Sequence, residues 1–232
     1  MNQYVLAHGV RRTRGALAEW NADPWPVLRS WLAGGVAVAV ALLAVVWLIS
    51  SVAQPDLTPM SIPGITEAPN ADNVLQILFR NSLVLALHAF ACIAGFIAGS
   101  SLPLSAGRRT GFSRWIHEKA RPVAFGWVIA VTCFSLGTQA YALGSTGATL
   151  AYQLHVHTGV LIVTVLPHAL PELTALFLPL AAWTIASRRQ DWDDLLAATL
   201  VTVAIAVPTL VCAAMWETYV WPHLLQAVSP VA

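Results

Sequence analysis

The sequence has too few charged residues to cover the surface of a water-soluble protein. Only 10% of its 232 residues are Asp, Glu, Lys or Arg, whereas a soluble domain has about 25%. The share of hydrophobic residues is 57%. The composition therefore excludes an ordinary soluble domain and favours an integral membrane protein built as one helical bundle.

Other absences exclude further classes of protein. The formal net charge is only +1, so the chain lacks the basic surface with which proteins bind nucleic acid. The three cysteines lie in apolar stretches without the spacing of a metal site, and we interpret them as small core residues. Motifs of nucleotide, hydrolase or metalloprotease sites are missing. We expect no cofactor, no metal and no nucleic-acid partner, and an enzyme is the least favoured class.

Apolar stretches long enough to cross a bilayer, which takes about 20 residues, recur along the chain. They occupy 31–52, 74–102, 122–143, 152–186 and 195–216. The predicted fold is all-α, a polytopic membrane helical bundle of about five transmembrane helices. We divide the chain into a cytoplasmic N-terminal segment (1–30), a single transmembrane domain (31–225) and a short outer C-terminal tail (226–232).

The fourth stretch is unusual because it contains LPHALPEL at 166–173. As one straight helix, 152–186 would reach about 50 Å at 1.5 Å per residue, whereas the hydrocarbon core is about 30 Å thick. Pro167 and Pro171 also lack the N–H group that an unbroken helix uses. We therefore predict a helix break at these prolines, with a re-entrant or interfacial half-helix at 153–166.

The basic residues favour one orientation in the cell membrane. Eleven of the twelve lie before the first span, between the second and third, or between the fourth and fifth. With five crossings and a cytoplasmic N-terminus, all eleven lie inside, as the positive-inside rule expects. The predicted protein is therefore multi-pass, with the 53–73 loop and the C-terminus outside.

Ionisable and amide side chains also occur within these spans, where they are costly unless they face protein or water. Counted at 1.5 Å per residue, five of them reach similar heights in the outer half of the membrane. These five are Arg80, Asn81, His168, Glu172 and Glu217. We predict one polar intramembrane cluster in which Arg80 pairs with Glu172 or Glu217, and His168 lies beside them.

Several alternatives to a functional cluster stay open. A buried ionic cluster can be purely structural and hold helices in register. Arg80 can extend to the outer headgroups, and Glu217 can lie in an interfacial belt of aromatic residues. The residue pattern alone does not choose among these roles.

Small residues recur at four-residue spacing in the second span, at Ala91, Gly95 and Gly99. Such a stripe permits close approach of helices. It indicates either a tight bundle or a homodimer seam, and the spacing does not distinguish the two. The other expected partners are the lipid bilayer and other membrane or envelope proteins.

Three motifs resemble those of the stage II sporulation protein M family of integral membrane proteins. PHALPE at 167–172 resembles the Pro-His-Gly-x-x-Glu signature, with Ala169 in place of the glycine. FRNSLVLALHAF at 79–90 is similar to an Asn-rich helix start, although Arg80 stands where a second asparagine is common. CAAMWETYVWP at 212–222 resembles a late span that ends in an acidic residue. The resemblance makes motif residues of Asn81, Pro167, His168, Glu172 and Glu217.

The same resemblance implies a function. In endospore formers, such proteins act in a membrane complex with cell-wall hydrolases during engulfment of the forespore. We therefore expect a scaffold or anchor for envelope-remodelling partners. The alternative is a permease-like protein with a small-solute or ion path at the broken helix 153–186, because broken helices often form binding sites.

These two functions predict different surroundings for the cluster. A water-filled cavity reaching Glu172 would favour the permease. A sealed cluster together with an apolar lateral groove would favour the scaffold.

Overall fold

The computed structural model describes the backbone of residues 3–101 and 111–231, and the side chains of residues 9–100, 122–123 and 125–231. This part of the chain is built from α-helices. They are α1 (Gln3–Ala22), α2 (Trp25–Val52), α3 (Ala71–Phe96), α4 (Gly111–Gln153), α5 (Thr158–Arg189), α6 (Leu195–Tyr219) and α7 (Trp221–Val228). A π-helical turn, Ile97–Ser101, extends α3. The predicted all-α class is confirmed.

Five helical segments in the described part of the chain are long and apolar enough to cross a membrane. They are Trp25–Val52, Ala71–Ser100, Phe125–Gln153, Thr158–Arg189 and Leu195–Tyr219. Large apolar side chains on them are exposed, including Phe79 at 65% and Phe134 at 72%. A bilayer supplies the apolar surroundings that such side chains need. The predicted number of spans and the membrane location are confirmed.

The predicted break at Pro167 and Pro171 is wrong, because α5 is one helix from Thr158 to Arg189. No separate half-helix precedes it in this described region. The chain turns between α4 and α5 instead, where His155 has a φ of 52°. Within a bilayer, a break would leave several backbone groups unsatisfied, which costs more than the one N–H that each proline lacks.

The chain divides into two compact units, each formed by segments that are distant in sequence. Unit 1 consists of Met1–Gly35, Leu85–Cys133 and Leu176–Ile205. Unit 2 consists of Val36–Val84, Phe134–Ala175 and Ala206–Ala232.

Tryptophans organise the core of unit 1. Trp31, near the start of α2, is buried against Leu178 of α5 and Ala198 of α6. Trp20 of α1 meets Trp31 edge to face, with the ring centroids 5.2 Å apart. This arrangement is favourable for aromatic pairs, and it joins α1 to the helices of unit 1.

The small-residue stripe of α3 is filled from within unit 1. A Cβ atom on Gly95 would lie 2.7 Å from Trp183 Nε1, and a Cβ atom on Gly99 would collide with Trp192. Ala91 is buried as well. The stripe therefore provides close packing inside the unit, which favours the tight bundle over the homodimer seam.

The 53–70 loop and α7 form a hydrophobic core in unit 2. Ile62 of the loop and Leu225 of α7 are buried in one cluster with Trp221 and Leu154. Ser229, directly after α7, donates a hydrogen bond from Oγ to the Leu154 carbonyl at 2.7 Å. These contacts attach α7 to the turn between α4 and α5.

Candidate functional site

The candidate site lies in unit 2, where α3 and α5 meet through their polar side chains. Asn81 of α3 donates a hydrogen bond from Nδ2 to Glu172 Oε1 of α5 at 2.7 Å. Both side chains are partly buried. A donor offsets part of the cost of placing a carboxyl group within a membrane bundle. This contact is therefore the centre of the site.

Glu217 of α6 joins this centre through longer-range electrostatics. Its carboxyl group is near enough to that of Glu172 for repulsion, and near enough to Arg80 for attraction. Glu217 is partly buried, whereas Arg80 is exposed on α3. The structure thus brings Asn81, Glu172 and Glu217 together and leaves Arg80 at the edge.

The expected ion pair of Arg80 with Glu172 or Glu217 is not formed. The ion pair found among the described residues joins Arg12 to Asp194 instead. Adjacent residues of a helix point about 100° apart, so Arg80 cannot face α5 when Asn81 does. Heights counted along the sequence contain no information about this rotation.

His168 lies one turn before Glu172 in α5 and is only 6% exposed. Its ring packs against Trp221, with the centroids 5.7 Å apart. Its Nδ1 has no hydrogen-bond partner in the described part of the chain. Trp221 donates from Nε1 to Thr164 Oγ1 at 3.2 Å. A residue of α7 thus covers the histidine.

Sequence reasoning did not assign Trp221 and Thr164 to the site. The signal for Trp221 was its place among the aromatic residues after Glu217, which is equally typical of an interfacial belt. Thr164 had no signal, because one threonine in an apolar helix usually bonds to its own backbone. It does so here as well, donating to the Leu161 carbonyl at 2.8 Å.

The arrangement suits helix positioning better than metal chemistry. No group of three or more His, Cys, Asp or Glu side chains within the described ranges is placed to hold a metal ion. Polar side chains on different helices instead fix the rotation of those helices, because each side chain must reach its partner to be satisfied.

Most of the chain matches a known family. The family model described as Stage II sporulation protein M matches residues 32–222 and therefore includes the whole cluster. The chain belongs to the stage II sporulation protein M family. The resemblance in the sequence is confirmed. No curated protein and no solved structure matches the chain significantly.

In this member of the stage II sporulation protein M family, the PHALPE segment at 167–172 lies within one helix. Ala169 lies inside the continuous helix α5 and is partly buried. In a helix interior, alanine is more favourable than glycine by about 1 kcal/mol. The alanine therefore suits an unbroken helix at this signature.

Proposed function

We propose that this member of the stage II sporulation protein M family is a scaffold or anchor for envelope-remodelling partners. The observation that carries the proposal is an apolar groove of about 460 Å³ in unit 1, formed by α1, α6 and the chain around the start of α2. The residues that line it are Leu17, Ala18, Trp20, Asn21, Pro24, Val27, Leu28, Trp31 and Val201.

The groove has the chemistry of a surface that binds a helix. Apart from Asn21, its lining side chains are apolar. Trp20 is partly exposed in the groove, and the buried Trp31 beneath it holds its ring in the edge-to-face pair. Amphipathic or apolar helices bind in such grooves, and aromatic anchors contribute much of the binding energy. The occupant that we propose is a helix of another membrane or envelope protein.

The polar cluster of unit 2 supports the same function. The Asn81–Glu172 hydrogen bond joins α3 to α5, and the contact of His168 with Trp221 joins α5 to α7. Specific interhelical contacts of this kind hold helices in register. A protein that positions partners needs such fixed helices.

The permease-like alternative depended on a broken helix. In transporters of that kind, the ends of half-helices point at the substrate. α5 is continuous through Pro167 and Pro171, so this described helix offers no such ends. The scaffold is therefore the function that we favour.

Filling the groove tests the proposal. Ala18 is exposed and lines the groove, so Ala18→Trp would occupy it. The matched control is Ala22→Trp, because Ala22 is an exposed alanine of α1 that does not line the groove. The proteins would be cross-linked in native membranes and purified, and bound cell-wall hydrolases would be quantified by mass spectrometry.

We expect Ala18→Trp to reduce recovery of the partner about 30-fold, the effect of losing an interface hot spot of about 2 kcal/mol. Ala22→Trp should retain wild-type recovery. Equal recovery with both variants would contradict the proposal.

We also propose a cytoplasmic N-terminus and an outer C-terminus. The distribution of the eleven basic residues supports this orientation. Arg188 and Arg189 fit it as well. They lie in the last turn of α5, the fourth span, which ends on the cytoplasmic side in this orientation.

A further inference from the structure

A charged groove lies beside α1 in unit 1, with a volume of about 450 Å³. Its lining consists of Arg11, Arg12, Gly15, Ala16 and Glu19 of α1, together with Asp194. The α1 residues recur at three- and four-residue spacing and so share one face of the helix. Two guanidinium and two carboxyl groups thus line one groove, and the carboxyl groups of Asp191 and Asp193 lie near Asp194.

The groove stands at the ends of two membrane spans. α1 ends at Ala22, and the span of α2 begins at Trp25. Asp194 directly precedes Leu195, where the span of α6 begins. Because Arg12 reaches Asp194, α1 lies near the start of α6. Groups at the ends of spans are at the depth of the lipid headgroups.

Arg12 is held in place and still has donors to offer. Its Nε lies 3.0 Å from Asp194 Oδ1. Burial of the carboxyl group, followed by the charge of Asp191, raises the pKa of Asp194, and the charge of Arg12 offsets part of that rise. A guanidinium has five N–H donors, so one ion pair leaves others for a second acceptor.

Arg11 and Glu19 are the other two charged residues of the groove, beside the Arg12–Asp194 ion pair. Both side chains are exposed, and neither takes part in an ion pair among the described residues. They lie about 12 Å apart along the helix axis at 1.5 Å per residue. The groove thus has a cationic end at Arg11 and Arg12 and an anionic end at Glu19.

We propose that this groove binds the headgroup of a zwitterionic phospholipid of the phosphoethanolamine type. The phosphate diester accepts hydrogen bonds from Arg11 and Arg12, whose planar forks match phosphate oxygens. The primary ammonium group of the lipid donates to the Glu19 carboxylate. An anionic headgroup has no cation to pair with Glu19 and adds a like charge beside it. A zwitterion is therefore preferred.

Native mass spectrometry of the full chain in detergent tests this assignment. The protein would be titrated with phosphatidylethanolamine, phosphatidylglycerol and phosphatidylcholine of identical acyl chains. We expect phosphatidylethanolamine to bind about tenfold more tightly than the other two, the effect of one additional charge-assisted hydrogen bond. No preference among the three lipids would overturn the proposal.

Variants at the two ends of the groove separate its two contacts. Arg11→Gln should weaken binding of phosphatidylethanolamine about tenfold. Glu19→Gln should bind phosphatidylethanolamine and phosphatidylglycerol equally, which a merely structural role of Glu19 would not produce. The matched control is Arg14→Gln, because Arg14 is an exposed arginine of α1 that does not line the groove. Equal weakening by Arg11→Gln and Arg14→Gln would overturn the proposal.

Soluble O-phosphoethanolamine distinguishes a lipid from a free metabolite as the source of the headgroup. We expect it to compete only at millimolar concentration, because it lacks the acyl chains that add apolar contact with the protein. Tighter binding of the soluble compound than of the lipid would overturn the lipid assignment. Thermal unfolding of each variant serves as the folding control.

Discussion

At the residue scale, the adjacent residues Arg80 and Asn81 of α3 have different surroundings. Asn81 donates to Glu172 at 2.7 Å, whereas Arg80 is exposed. An amide reaches a carboxyl group without adding a second charge that must also be taken out of water. The neutral residue therefore occupies the inner position, and the charged residue stays at the surface.

Replacing Asn81 by leucine should destabilise the folded protein. The Glu172 carboxyl group would lose its donor, and leaving a buried polar group unsatisfied costs about 1–3 kcal/mol. Unfolding followed by circular dichroism in detergent would measure the loss. Ser82→Leu is the matched control, since Ser82 is the next residue of α3 and is exposed. Equal stability of the two variants would contradict the role of the Asn81–Glu172 hydrogen bond as the centre of the site.

At the scale of the element, the packing of unit 1 depends on how closely its helices approach one another. The stripe on α3 lets Trp183 and Trp192 pack against the glycines. Gly137 of α4 shows the opposite situation, because a Cβ atom there would meet nothing within 4 Å. Glycine thus has a packing role at one position and none at the other.

This contrast gives a paired prediction. Gly95→Ala places a Cβ atom 2.7 Å from Trp183 Nε1 and 2.9 Å from Leu195 Cδ1, and such overpacking typically costs about 1–3 kcal/mol. Gly137→Ala should instead stabilise α4 by up to about 1 kcal/mol, since alanine favours helices. Thermal unfolding of both variants in detergent would measure the difference. A neutral effect of Gly95→Ala would show that the close packing is not required.

At the scale of the whole molecule, the five spans and the basic residues support the orientation that we propose. An odd number of crossings places the two termini on opposite sides of the membrane. In the proposed orientation the 53–70 loop faces outside, together with α7, because both belong to one hydrophobic core of unit 2.

Cysteine labelling of intact cells would test this orientation. In a background without the three native cysteines, a cysteine at Ser61 should react with an impermeant reagent added from outside. A cysteine at Ser113, which lies outside the residues with described side chains, should react only after the membrane is opened. The reversed pattern would refute the orientation.

The sequence by itself determined the class of protein, the number of spans and the family. Apolar composition over about 20 residues is a local property, and five such stretches survive in the structure as spans. The signature residues were likewise readable in order along the chain, and the family match includes them. The sequence also indicated which polar residues reach similar heights.

Only the tertiary structure decided how these parts meet. It placed Asn81 rather than Arg80 against Glu172, and it set tryptophans into the glycine stripe. It kept α5 continuous through two prolines, and it joined Arg12 to Asp194 over 182 residues of sequence. The rotation of a helix and its contacts depend on side chains supplied by distant segments. No pattern within one helix contains that information.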